Sequence, residues 1–496
     1  ELPSAGRPIE GVGTSVAAFI GFAEMGPRNK PVLVTNWSQF QQKFGGVRKE
    51  YYLGHAVYGY FNNGGGVCYV VNVASPLAPR IEVPAAEGDK PALEAYAIKD
   101  GLAAASVSVD IGPAEGGDGN LPADPAAPMF TVSVKAGGKA VESFANVTTN
   151  RESPRFVETV VNGTSTYVWL DIPLGKAPML PAPAEGSYAL AMPAAGELRL
   201  DTTQVQGDLR NRSGIAGLEA VENVTIVCAP DLMSAYQRGL IEEEALIALQ
   251  KAMVDHCELM RNRVCIIDSP LGLDPQEVKE WREQKLMVDS PFATLYYPWI
   301  RVLGPDGKLM SVPPSGHMAG IWARTDTERG VHKAPANEVV RGAVELTQDI
   351  TAGEQGTLNP IGVNCIRAFG AMGIRVWGAR TLAISDASWK YINVRRFFNY
   401  VEASIKGGTN WAVFEPNDFG LWQRLKRDIT QFLMGPYRNG ALFGATQDQA
   451  FYVKCDAETN PPDQIDAGMV VCEIGMCPVK PAEFVVFRVQ QLATGG

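Results

Sequence analysis

LNPIGVNCIRAFGAMGIRVWGARTLAISDASWKYINVRRFFNYVEASIK, residues 358–406, is the stretch on which the reading of this chain turns. It predicts a short buried strand at 374–377 and then a strongly amphipathic helix. Tyr391, Val394, Phe398, Val401 and Ile405 recur at three- and four-residue spacing, which lays one apolar stripe along a helix. Ser385 or Asp386 can cap its start, and Gly407 and Gly408 can end it. Lys390, Arg395, Arg396, Asn399 and Glu402 fall on the opposite face, which reads locally as the solvated side of a helix packed on a sheet.

Outward from there, the pattern is alternating. Upstream, apolar strands are predicted at 224–229, 264–268 and 292–297, with helices at 242–262 and 275–285 and a turn feeding a helix at 312–323. At the start of the chain, strands at 16–22, 32–35 and 67–73 alternate with helices at 37–44 and 51–61. Short glycine turns join them, as in an α/β layer. The run Asn62-Asn63-Gly64-Gly65-Gly66 is read as a helix end. A phosphate cradle would follow a strand, open a helix and carry a Lys-Ser/Thr that is missing here.

Residues 76–209 interrupt this pattern. They hold 14 of the 34 prolines and only 7 aromatics, with alternating strands at 129–134 and 167–172, and so read as a β-rich surface insertion with a modest core. Residues 357–496 carry 18 aromatics, which points to a dense core or to extensive interfaces. A second amphipathic helix is predicted at 418–434 behind Asn417 as its cap, with Leu421, Trp422, Leu425, Ile429, Phe432 and Leu433 inward and Arg424, Arg427, Asp428 and Gln431 on the other side. Strands follow at 451–455 and 469–474. The terminal run Glu483-Phe-Val-Val-Phe-Arg-Val489 has high β-propensity and needs a pairing partner. The expected division is a lead or N-terminal arm at 1–15, one α/β domain from 16–75 and 210–356, the insertion at 76–209, a C-terminal α+β domain at 357–482, and a C-terminal arm at 483–496.

Bulk composition excludes several functions. The 44 basic and 54 acidic residues are interspersed and give a net charge of −10, so there is no basic face or tail for nucleic acid. No apolar run approaches the roughly 20 residues of a membrane helix. Eight cysteines are scattered without a CxxC or zinc spacing, and most lie in apolar runs, as expected of reduced thiols. No metal set, acid–base pair or dinucleotide fingerprint is apparent, and no cofactor is expected. Ser315-Gly-His-Met-Ala-Gly320 at a helix start resembles the nucleophile helix of subtilisin-like proteases. But the histidines are only His55, His256, His317 and His332, and none stands where a triad base should. His317 reads instead as a turn or interface residue. A soluble serine hydrolase with an inserted β domain is thus the alternative, and a non-enzymatic structural protein the preferred reading.

Three sets of residues carry a family resemblance. One runs from Arg7-Pro-Ile-Glu-Gly-Val-Gly13 through Gly26-Pro27 to Tyr58-Gly-Tyr-Phe-Asn-Asn-Gly-Gly-Gly66. A second comprises Leu358-Asn-Pro-Ile-Gly-Val-Asn364, Trp377-Gly-Ala-Arg-Thr381 and Ile392-Asn-Val-Arg-Arg396. The third is Asn460-Pro-Pro462 with Val479-Lys-Pro-Ala-Glu-Phe-Val-Val-Phe487. Together they resemble the tail sheath proteins of contractile phages and phage-tail-like injection systems, over residues 1–75 and about 210–490.

The resemblance implies a mixed α/β, multidomain subunit whose subtilisin-like layer lacks a triad, assembled as stacked hexameric rings around an inner tube. Partners would be further copies of itself, the inner tube protein, and baseplate and terminal cap proteins, with no nucleic acid and no direct membrane insertion. Assembly would take place in the bacterial cytoplasm, in a phage tail or an injection particle. Phe484, Val485, Val486, Phe487, Arg488 and Val489 would form an arm that adds a strand to a neighbour. Arg424 and Arg427 become candidates for tube contact, and Arg380, Arg395 and Arg396 for contacts between subunits. The segment that usually precedes the family's N-terminal lead is missing before residue 1, which leaves the N-terminal arm truncated or divergent.

Overall fold

A computed structural model describes residues 8–74, 78–88, 91–98, 106–115, 128–172, 181–192 and 200–484. Its centre is an eight-stranded sheet in the order Ile374–Val376, Val363–Ala368, Ala293–Tyr297, Val264–Asp268, Ile226–Cys228, Ala17–Phe22, Cys68–Ala74, Val32–Val34. The six inner strands run parallel, and each edge strand is antiparallel. Ala17 faces Ile226 on one side and Cys68 on the other, so segments about 150 residues apart pair through one short strand. Every residue of Ala17–Phe22, Val264–Asp268 and Ala293–Tyr297 is buried, as continuous apolar runs in a sheet covered on both faces must be.

Helices Leu53–Asn62 and Ser315–Arg329 pack closely against each other. Gly316 and Gly320 make that approach possible, because a Cβ at either position would lie 2.3 Å from the Ala56 Cα or 2.5 Å from the Tyr60 carbonyl. Buried Asp231 ties the layer together at the end of the central strand. Its carboxylate accepts the amides of Phe22 (2.7 Å), Leu53 (3.0 Å) and Tyr52. Burial pushes its pKa up to about 7, against the pull of those three donors.

The insertion is β-rich, as the prolines and alternation suggested. A four-stranded and a three-stranded sheet enclose a separate core that includes Val83, Leu93, Val109, Val132 and Leu170. It ends earlier than expected. Leu200 and Val205 already belong to the main core, so residues 200–209 return to the α/β body. Arg28, from that body, stacks over the Tyr96 ring of the insertion (3.4 Å) and pairs with Asp171 (3.2 Å).

The boundary at 356/357 also moves. Val363–Ala368 and Ile374–Val376 complete the large sheet, and the C-terminal unit begins only past Leu382, whose amide still bonds Ala293 of the sheet. That unit packs the helices Ile392–Gly408 and Phe419–Arg438 with the hairpin Phe451–Lys454 and Glu473–Met476. Its core takes in Ile9, and the Val12 amide donates to Ser404 Oγ (3.0 Å), so the described part of the lead lies on the chain's own C-terminal unit.

Both predicted caps shift by a few residues. Tyr391 precedes the first helix without a side-chain cap, and Asp386 caps the turn Ala387–Trp389 instead. Asp418 caps the second helix, while Asn417 accepts the indole N–H of Trp422 (2.8 Å). Of the terminal strand only Glu483 and Phe484 are described, and neither is in a strand; Val485–Val489 lie outside the described residues.

Candidate interaction surfaces

The hydrolase reading fails on geometry. Ser315 is fully buried, and its hydroxyl donates to Asp268 Oδ2 (2.6 Å), whose other oxygen takes the Ser315 amide (3.1 Å). His317 sits two residues further along the same helix, on a different face, packed against Gly59. Its Nδ1 is buried with no hydrogen-bond partner among the described residues. Burial, with His55 nearby, lowers its pKa to about 3, so the imidazole cannot take up a proton near neutrality. His317 is therefore a core residue of a helix pair and not the turn or interface residue expected. Among the described residues, no group of three or more His, Cys, Asp or Glu is arranged to hold a metal, and no helix is long and apolar enough to cross a membrane.

The arginines singled out in the sequence divide into two sets. Arg380, Arg395 and Arg396 are consumed inside the chain. Arg380 grips Glu483 through Nε (2.8 Å) and Nη2 (2.6 Å), while Nη1 donates to the Asn359 carbonyl (3.1 Å). Tyr391 and Lys390 complete the shell around that carboxylate, at 3.1 and 3.6 Å. Burial alone would raise the Glu483 pKa, but the Arg380 guanidinium together with the hydrogen bonds of Asn359 and Tyr391 outweighs it and holds the carboxyl below its ordinary 4.5.

Arg395 stacks on Trp389 (4.1 Å) and Phe292 (4.8 Å) and bonds Asn399 and Glu402. Arg396 makes a two-pronged pair with Asp326 (2.9 and 2.6 Å), both side chains about 95% buried, and also reaches the Thr14 carbonyl (2.8 Å). The predicted solvated face of this helix is thus largely a buried polar seam, because the lead, the end of helix Ser315–Arg329 and the Trp389 turn all pack on it. These three arginines hold the chain together through contacts within it.

Arg424 and Arg427 remain on the surface, with side chains 42% and 58% exposed. Arg424 meets Glu415 (3.3 Å) and lies over Trp411 (5.2 Å), and Arg427 meets Asp428 (3.1 Å). The loop before this helix exposes Val413 and Phe414, and Phe419 is exposed in its first turn. Phe414 is fully exposed in the left-handed backbone region (φ 66°), where a bulky side chain is strained. The sequence reading missed this exposed apolar tip. A Phe beside Pro and Asn in a short interhelical loop was the available signal.

The phage tail sheath protein central domain matches residues 211–382, and the phage tail sheath C-terminal domain matches 385–491. The join between them agrees with the end of the large sheet. The tail sheath protein of Burkholderia phage BcepMu is 23% identical over 511 aligned residues, 99% of this chain and 95% of that protein. That of Salmonella phage ViI is 26% identical over 361 residues, 70% of this chain and 52% of the relative, so the chain spans about half the length of this larger protein. Among solved structures, the contracted helical sheath of the anti-feeding prophage superposes with a TM-score of 0.59 at 22% identity, covering 99% of both chains. The contracted sheath complex of an extracellular contractile injection system gives 0.57 at 22%, covering 99% and 95%. With both sheath domains matched in order and the fold shared from end to end, the chain belongs to the phage tail sheath family.

Proposed function

We propose that this chain is the structural subunit of a contractile sheath. Copies of it stack as hexameric rings around an inner tube, and their contraction drives the tube through a target membrane. The observation that carries this reading is the whole-chain likeness to contracted injection-system sheaths, the β insertion included. Its partners are further copies of itself, the inner tube, a baseplate and a terminal cap. It is assembled in the bacterial cytoplasm into a phage tail or an injection particle, and it is not an enzyme.

Residues 484–489 act as a strand donor to a neighbouring subunit. Support comes from the clamp of Arg380, Tyr391 and Lys390 on Glu483, which fixes the root of this segment against the body. Arg424 and Arg427 face the tube and meet acidic residues there. Such contacts are weak and screened by salt, as suits an interface that contraction must break.

Co-expression with a tube protein, followed by negative-stain microscopy, tests both ideas. Removing the residues after Ala482 should leave folded monomers and no striated cylinders. Ordered cylinders from the truncated chain would exclude the arm. Arg424→Glu with Arg427→Glu should yield sheaths lacking a tube, and tubes sheathed as before would remove the basic face from the interface.

A further inference from the structure

The C-terminal hairpin points at a pair of cysteines. Its register pairs Phe451 with Met476, Tyr452 with Gly475, Val453 with Ile474 and Lys454 with Glu473. One rung further, the same register sets Cys455 opposite Cys472. At the other end, the Cys477 amide donates to the Ala450 carbonyl (2.9 Å), which makes Ala450/Cys477 a hydrogen-bonded pair. Such pairs alternate along an antiparallel ladder, so Cys455/Cys472 falls on a rung without hydrogen bonds, where Cα atoms lie roughly 4.5 Å apart. That is within the roughly 4.4–6.8 Å that a disulfide spans.

The side chains bear this out, because Cys455 belongs to a small buried cluster with Leu421, Trp422 and Leu425, and Cys472 packs against that same cluster. Just beyond them Asn460 clasps Val471 from both sides, donating to its carbonyl (3.0 Å) and accepting from its amide (2.7 Å). The two chain ends are therefore held together before any covalent link exists. Cys455 is buried and Cys472 half-buried.

We propose that Cys455 and Cys472 form a redox-modification site, a dithiol that closes to an intramolecular disulfide on meeting a small-molecule disulfide oxidant. The link would staple residues 456–471 to the hairpin. This inference does not depend on the sheath reading. Cys472, the accessible partner, attacks one sulfur of the oxidant as a thiolate, forms a mixed disulfide and releases one small thiol. Cys455 then attacks the Cys472 sulfur, closes the protein disulfide and releases the second thiol. The two protons given up by the cysteines end on the two released thiols. Burial pushes the Cys472 thiol up to about 12 and raises Cys455 as well, so closure is slow near neutrality and accelerates with pH.

The experiment treats the full chain with oxidised glutathione at neutral and mildly alkaline pH, followed by alkylation and non-reducing peptide mapping. The expected result is a cross-linked peptide joining Cys455 to Cys472, with a rate that rises with pH. Two of the eight thiols are then lost, while Cys228, Cys257 and Cys265 in the sheet core remain reduced. Cys472→Ala, at a half-exposed position that tolerates the change, should give no link at Cys455. Either of two results would overturn the proposal: a glutathione adduct that persists on Cys472, or oxidation confined to exposed Cys477.

Discussion

The helices Ile392–Gly408 and Phe419–Arg438 carry the same sequence pattern, an apolar stripe with arginines opposite, and use it in contrary ways. In the first, a third layer closes over the arginine face. Arg396 is bound to Asp326 and Thr14, and Arg395 is sandwiched by Trp389 and Phe292. In the second, the arginines are open to water: Arg424 pairs with Glu415 at the surface, and Arg427 with buried Asp428. Helical periodicity reports only the side that meets the first layer. Whether a second element covers the other side depends on segments far away in sequence, here residues 9–14 and 326.

This contrast fixes an order of effects. Arg396→Ala should be the most damaging, because it strands buried Asp326. A loss of about 3–5 kcal/mol is expected, read as a lower denaturant midpoint for the body and C-terminal unit. A loss below 1 kcal/mol would mean that the seam is wet and the two helices are alike after all.

Glu483→Gln should cost about 2 kcal/mol at neutral pH by weakening its charge-assisted bonds to Arg380. Because folding lowers the Glu483 pKa, its contribution is complete above 4.5 and is lost as pH falls through the folded value. The gap between parent and variant, followed by denaturant titration, should therefore close in acid. A gap that persists there would show that the carboxylate charge is not what holds the clamp.

The open face should respond least, and unevenly. Arg427→Ala leaves the buried Asp428 carboxylate without its arginine and should cost about 1 kcal/mol, whereas Arg424→Ala should stay within about 0.5 kcal/mol. Equal effects at the two positions would erase the distinction between a wholly surface pair and one that touches the core.

Much of the chain was legible from sequence. The helix at 37–44 and the strand at 264–268 are where the pattern put them, because each is a local run bounded by its own breakers. The β-rich insertion was legible for the same reason, through its prolines and alternation. The errors sit where local pattern gives way to tertiary context. The strand expected at 469–474 begins at Glu473, because Asn460 holds Val471 in the loop. The domain boundary at 357 was drawn at a change in composition, but the sheet needed two more strands to finish its edge.

By itself the sequence determined the α/β layering, the interruption by a β domain, the absence of a plausible catalytic triad, and the words that placed the chain beside tail sheath proteins. The first three follow from periodicity and local chemistry, which neighbouring residues encode; the last rests on the resemblance of particular motifs. Only the tertiary structure decided which arginines are interior struts and which lie at the surface. It alone set Glu483 in the grip of Arg380 and put Cys455 opposite Cys472. Those facts depend on register and on contacts across up to hundreds of residues, and the free energy of burial that selects them is a property of the packed whole.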